Sequence, residues 1–268
     1  VLKQRLLTAF VLAPVTLAGV FLLPLPGFEL FVAAAMVLGA WEWTRLAGFA
    51  ALRSRLVFSA GLGLLLGLCI AVKSWVPVPA LMLLSVLFWL LALYWVMTYP
   101  GLGWWRTRGS RLVIGCLVLV SSWFALVELK RLDQGGVLIL LLLLLVWASD
   151  IGAYISGKTW GHNKLAPHVS PGKTREGLWG GLLCCVLVGA VYGVSRELPL
   201  LQLVYLVVLS LCTGLASVLG DLFESMLKRH QGIKDSGCML PGHGGVLDRI
   251  DSLTAAAPVF VLGMWLIA

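Results

Sequence analysis

The sequence predicts an all-α, polytopic integral membrane protein of about nine transmembrane helices, with the N-terminus inside and the C-terminus outside. Three observations predict it. First, 60% of the 268 residues are hydrophobic, only 12% are charged, and the mean hydropathy is +0.99. A soluble domain carries about 25% charged residues, and this chain has too few to cover itself in water. Second, the apolar residues come in long runs and do not alternate, which argues against a β-barrel. Third, the basic residues crowd into alternate connecting segments.

Nine runs are long enough, or nearly so, for a hydrocarbon core that needs ~20 residues. In order they lie near Leu6–Leu23, Phe28–Trp43, Leu56–Val72, Val78–Met97, Leu112–Leu129, Gly136–Ser156, Gly177–Val194, Leu200–Asp221 and Leu253–Ala268. The first is not followed by a small-residue cleavage site, and eight further runs follow it, so it reads as a span and not as a secretory signal. WEWTRLAG (41–48), at the end of the second run, reads as an interfacial belt with Trp at headgroup level and Arg snorkelling. PGLGWWRTRGSR (100–111), after the fourth, reads as a basic aromatic surface loop of the same kind.

Orientation follows from Lys and Arg, which accumulate in cytoplasmic loops. With the N-terminus inside, sixteen of the twenty basic residues fall in inside segments and four outside: Lys73, Lys130, Arg131 and Arg196. The net charge of +8 is in part this same bias, and it also suits an anionic leaflet and anionic substrates. Five of the six cysteines sit within apolar runs and none has metal-site spacing, so they read as small buried hydrophobes.

Acid content divides the chain. Before residue 130 the only acids are Glu29, Glu42 and Glu128, whereas eight of the twelve lie from Asp150 to Asp251. Residues 1–130 are expected to form a scaffold of N-terminal helices with room for lipid access. Residues 131–268 are expected to form the catalytic transmembrane region with two inside loops, 148–177 and 220–252.

These loops hold the informative chemistry. In the second, GDLFESMLKR is expected to be helical, and Asp221, Glu224 and Lys228 follow at i, i+3 and i+7 on one face. HQGIKDSGCML is irregular, PGHGG offers a turn, and VLDRIDS reopens a helix with Asp248 and Asp251 on one face. Carboxylates from two helices, with oxygen donors only, suit a hard cation such as Mg²⁺. Bases and glycine-lined amides beside them suit phosphate oxygens. In the first loop, Asp150 closes a leucine run, and SPGKTREG (170–177) combines two bases, a hydroxyl and an acid ahead of the next span. It lacks Walker spacing, yet Lys173, Thr174 and the following helix N-terminus could bind a phosphate.

Taken singly, each piece has an ordinary explanation. Asp221, Glu224 and Lys228 could be a surface ion-pair ladder. Asp248, Arg249 and Asp251 could favour a helix start. His243 alone could be a structural hydrogen-bonder, and His162 and His168 read as loop surface. Clustering of these charges at membrane-helix ends on one side is what points to chemistry.

The run SMLKRHQGIKDSGCMLPGHGGVLDRID (225–251) resembles the signature of the phosphatidate cytidylyltransferase (CDP-diacylglycerol synthase) family. SDIGAYISGKTWG and SPGKTREG resemble that family's second conserved region, so the likeness covers about 100 residues from Ser149 onward. It implies an Mg²⁺-dependent membrane enzyme that transfers CMP from CTP to phosphatidic acid, giving CDP-diacylglycerol and pyrophosphate in phospholipid biosynthesis. It implies CTP, phosphatidic acid and the lipid bilayer as partners, no nucleic acid, and leaves a homodimer open. A bacterial inner membrane with the active site on the cytoplasmic side is the expected location.

On this resemblance Asp221, Asp248 and Asp251 are expected to hold the metal, with Asp150 and Glu224 in reserve. Lys228, Arg229 and Lys234 would neutralise the triphosphate. Lys173 and Arg175, with Ser170, Thr174 and Glu176, would hold phosphate, and Arg249 could serve either substrate. His243 with Gly244 and Gly245 would shape the phosphate pocket, and Asp235 would orient Lys234 or a base. Two alternatives stand beside this: a CTP-dependent polyprenol or dolichol-type lipid kinase, and a cation or proton transporter that uses Asp150 and Asp221.

Overall fold

The computed structural model describes residues 2–242 and 244–267; the side chains of residues 2–7, 9 and 267 fall outside the description. His243, a catalytic candidate from the sequence, therefore lies outside the described residues. The described residues form nine α-helices and one hairpin: α1 (Leu2–Leu22), α2 (Leu25–Leu46), α3 (Leu52–Val72), α4 (Val78–Thr98), α5 (Arg108–Arg131), α6 (Gly135–Trp160), β1 (Lys164–Ala166), β2 (Ser170–Thr174), α7 (Arg175–Ser195), α8 (Leu200–His230) and α9 (Leu247–Ile267). Eight of them, α2 to α9, are long and apolar enough to cross a membrane; the apolar part of α1, Phe10–Leu22, is shorter. The all-α polytopic class read from composition is the class observed.

Helix starts follow local chemistry. α2 and α4 each begin just after one proline and carry a second in the first turn, where the fixed φ suits a helix and the missing N–H costs nothing. Thr107 caps α5 by accepting the Ser110 N–H at 3.2 Å. α6 and α7 approach closely through small residues: a Cβ on Gly152 would stand 2.7 Å from the Gly180 carbonyl oxygen, and one on Gly181 would stand 2.6 Å from that of Ser149. In lipid, where the hydrophobic effect does not drive helix pairing, such backbone contact supplies the packing.

α5 is the most enclosed helix. It packs on α2, α4, α6 and α9, while α4 also packs on α8 and α9. The N-terminal helices thus buttress the helices that carry the charged loops. One aromatic cluster shows how. Phe223 of α8 meets Phe88 and Trp89 of α4 edge to face, with centroids 5.8 and 5.7 Å away, and stacks on Trp95 at 6.4 Å.

Two expectations need correction. The segment 41–48 is not an interfacial belt: Glu42, Trp43, Thr44 and Leu46 are buried. The reason is that α2 turns this face onto α5, where Trp43 Nε1 donates to the Arg111 carbonyl at 2.7 Å and Arg111 Nη1 donates to the Leu46 carbonyl at 3.1 Å. In the segment 100–111 the surface reading holds for exposed Trp104 but not for Trp105 or Arg111, both buried. The first charged loop is also more ordered than expected. α6 runs on to Trp160, and β1 pairs antiparallel with β2, Lys164 opposite Thr174 and Ala166 opposite Ser170.

Candidate active site

The two charged loops meet at one end of the bundle, where α6, α8 and α9 place the acids of the cluster and the hairpin places Lys173. α8 is 31 residues long and carries Asp221, Glu224, Lys228 and Arg229 on its last turns. Phe223, wedged against α4, fixes the rotation that turns Glu224 and Lys228 inward. The α9 N-terminus brings Asp248 and Asp251, and α6 brings Asp150.

Lys173 of β2 reaches across to α8, with Nζ 2.7 Å from Asp221 Oδ2. The other Asp221 oxygen accepts the Ser225 hydroxyl at 3.1 Å. Lys228 Nζ lies 2.9 Å from Asp248 Oδ1 and 3.5 Å from Glu224 Oε1, so it joins α8 to α9. Asp150 lies within the electrostatic reach of Lys173, Asp221 and Arg249. Carboxylates this close in a poorly solvated setting repel strongly, and the two lysines offset part of that repulsion.

The acids are not equivalent. Both Asp248 oxygens are engaged: the Ser236 N–H contacts both at 3.2 and 3.1 Å, Lys228 takes Oδ1, and the Gly245 N–H gives a 2.7 Å bond to Oδ2. Asp248 therefore clamps the loop that precedes its own helix. Glu224 is the opposite case. It is buried beside Asp251, Lys228 and Asp248, and among the described residues its one close cation is Lys228, 3.5 Å from Oε1, with no hydrogen bond accepted by either oxygen. Asp251 lies beside Glu224 and within reach of Asp221.

The hairpin residues are also divided. Thr174 is buried and caps α7 by accepting the Gly177 N–H at 3.1 Å. Glu176 gathers the backbone N–H groups of His162 and Asn163 at 3.2 Å, and Asn163 Nδ2 at 2.7 Å, which closes the hairpin base. Both are thus occupied in holding Lys173 in place. Arg229 Nε donates to the Val169 carbonyl at 3.2 Å and docks the hairpin on α8. Ser170 is half-buried on β2. Arg175, Lys234, Asp235 and Arg249 are exposed around the cluster, as are His162 and His168. Gly242 and Gly244 have φ of +75° and +82°, values that glycine adopts without penalty.

Sequence reasoning missed Glu42, Arg45 and Ser236. Glu42 Oε2 accepts the Leu247 N–H at 2.8 Å and the Ser236 hydroxyl at 3.2 Å, and Arg45 Nη1 donates to the Ser236 carbonyl at 3.1 Å. A signal was present: Glu42 is an acid inside an apolar run, in a half of the chain that has almost none.

A bundle with eight helices of membrane-crossing length among the described residues, and with a cluster of acids and lysines where the two charged loops meet, defines a polytopic integral membrane protein. The chain belongs to the cytidylyltransferase family, whose profile matches residues 3–267. It is 46% identical over 265 residues to a phosphatidate cytidylyltransferase of Pseudomonas aeruginosa, covering 98% of this chain and 97% of that one. It is 38% identical over 280 residues to one of Haemophilus influenzae, covering 97% of each, and 38% identical over 151 residues to one of Bacillus subtilis, covering 54% and 56%. It is thus a membrane-bound nucleotidyltransferase.

Proposed function

We propose that this chain transfers CMP from CTP to phosphatidate, releasing pyrophosphate and leaving CDP-diacylglycerol in the membrane. The observation that carries the proposal is the meeting of Lys173, Lys228 and the carboxylates of α8 and α9 at one end of the bundle, in a chain similar to phosphatidate cytidylyltransferases over nearly its full length.

A phosphatidate phosphate oxygen attacks the α-phosphorus of CTP. The new P–O bond forms as the bond from the α-phosphorus to the α,β-bridging oxygen breaks, and pyrophosphate departs with that electron pair. The nucleophile is already an anion, so no covalent enzyme intermediate is needed. The protein's task is to hold two mutually repelling anions in line and to stabilise charge on the leaving group. Lys173 on the hairpin and Lys228 on α8 both act electrostatically on Asp221, so phosphate oxygens near it would meet positive charge from two elements. Exposed Arg175, Lys234 and Arg249 would draw the nucleotide and the lipid headgroup from water and membrane surface.

The residues fit Mg²⁺. The buried Glu224 carboxylate, paired with Lys228 at 3.5 Å but accepting no hydrogen bond among the described residues, lies next to Asp251 and close to Asp221, an oxygen-only donor set suited to a hard cation. Among the described residues no group of three or more His, Cys, Asp or Glu is poised to hold a metal unaided. Mg²⁺ characteristically takes one or two carboxylates and completes its shell with substrate phosphates and water. Asp221, Glu224 and Asp251 would hold it, with Asp150 near, and it would supply charge neutralisation at the triphosphate.

The charge bias and the bacterial relatives support an inner-membrane location with this end in the cytoplasm, where CTP is found. The experiment supplies the purified chain with CTP and Mg²⁺ plus either phosphatidate or a polyprenol. Pyrophosphate released only with phosphatidate supports the proposal. CDP released with polyprenol supports a lipid kinase, and no nucleotide turnover with either reopens ion transport.

A further inference from the structure

We propose that Glu42 of α2 is a positioning residue that presents the 236–247 loop and the first turn of α9 to CTP. The inference rests on the reading that this loop and Lys228 bind the nucleotide. It stands on the contact of one buried carboxylate with both ends of the loop, Ser236 and Leu247.

Leu247 is the first residue of α9, so its N–H is one of the four that a helix start leaves without an internal partner. Glu42 Oε2 accepts that N–H from a different helix and so caps α9 from outside its own segment. The same oxygen accepts the Ser236 hydroxyl, while the Ser236 N–H goes to Asp248. Ser236 is therefore held between two carboxylates, one from α2 and one from α9. The second also binds Lys228, so Glu42 is linked through Ser236 and Asp248 to a lysine placed at the triphosphate.

Two glycines make room for this. A Cβ on Gly237 would overlap the Glu42 carboxylate, and all three of its nearest atoms would belong to Glu42. A Cβ on Gly245 would overlap both Glu42 and Ser236. Neither glycine has a positive φ, so close approach of the carboxylate, and not backbone conformation, sets the demand for glycine. Glu42 is 0% exposed, and its Oε1 has no hydrogen-bond partner. Leaving a buried carboxylate oxygen unsatisfied is costly, and Met or Leu would fill the same volume without that cost. What only the carboxylate supplies is the pair of hydrogen bonds to the loop ends.

The test is steady-state kinetics of Glu42→Ala, Gly237→Ala and the double variant in detergent-solubilised full chain, with thermal unfolding alongside. The expected result for Glu42→Ala is a KM for CTP raised about tenfold or more, with KM for phosphatidate changed less than about twofold. Gly237→Ala alone also raises KM for CTP, because its methyl displaces Glu42. In the double variant the two effects do not add, since each acts through the same contact. Should Glu42→Ala not fold, Glu42→Gln carries the test: it keeps the volume and one acceptor, and a rise of about threefold in KM for CTP is expected. Unchanged KM values, equal rises for both substrates, or additive effects in the double variant each overturn the inference while leaving the proposed reaction standing. A wild-type chain that does not turn over CTP with phosphatidate overturns both.

Discussion

Lys173 Nζ and Asp221 Oδ2 stand 2.7 Å apart, and this contact closes the hairpin onto α8. Both side chains keep about a third of their surface open, at 27% and 31%. An ion pair that accessible contributes only about 0.2–1 kcal/mol to stability. Lys173→Ala is therefore expected to leave thermal unfolding nearly unchanged and, on the proposal that Lys173 binds phosphate, to lower kcat/KM for CTP at least about tenfold. Parallel unfolding and turnover measurements check this. A large drop in melting temperature with intact turnover would make Lys173 a structural residue.

Lys228 behaves differently, because it is buried between Asp248 and Glu224. Lys228→Met strands two acids in a poorly solvated site. Removing one partner of a buried pair costs about 3–5 kcal/mol. A strong fall in folded yield and melting temperature is expected, seen by size-exclusion chromatography and thermal scans, and partly relieved in Lys228→Met/Asp248→Asn.

Metal dependence separates the acids. Turnover should stop with chelator and return with Mg²⁺. Glu224→Gln and Asp221→Asn are expected to raise the Mg²⁺ concentration for half-maximal rate about tenfold or more while the fold persists. Asp248→Asn loosens its loop and is expected to lower stability first. A Mg²⁺ titration of each variant decides. Equal shifts for all three would remove the distinction between clamp and ligand.

Phe223 carries the link from the N-terminal scaffold to the site. Phe223→Ala removes the ring that α4 holds through Phe88, Trp89 and Trp95, a loss of about 3–5 kcal/mol by analogy with buried aromatics elsewhere. Turnover should fall further than folded yield, since Glu224 is the next residue.

Among the described residues, the eight helices of spanning length, α2 to α9, were legible because apolar runs of that length have few alternatives in lipid, while the first run reads longer in sequence than the apolar part of α1, Phe10–Leu22. Asp221, Glu224 and Lys228 were legible as one face because helical spacing is local. The hairpin was not, since β1 and β2 are three and five residues long and their polar sequence does not alternate. It is closed by Glu176, which the family resemblance groups with the phosphate-holding residues and which instead accepts from His162 and Asn163. Asp248 illustrates the same limit: an acid at a helix start looks alike whether it binds metal or clamps a loop. Glu42 was read as part of a belt because its partners, Ser236 and Leu247, lie 194 and 205 residues away. No periodicity reports a contact at that separation.

The most direct measurement of the central claim follows the phosphorus. The purified chain is given Mg²⁺, phosphatidate and CTP labelled at either the α or the γ phosphate, and the lipid is extracted. Label from the α position in the lipid, with γ label recovered only in pyrophosphate, is the predicted result. Label from the γ position in the lipid would contradict it.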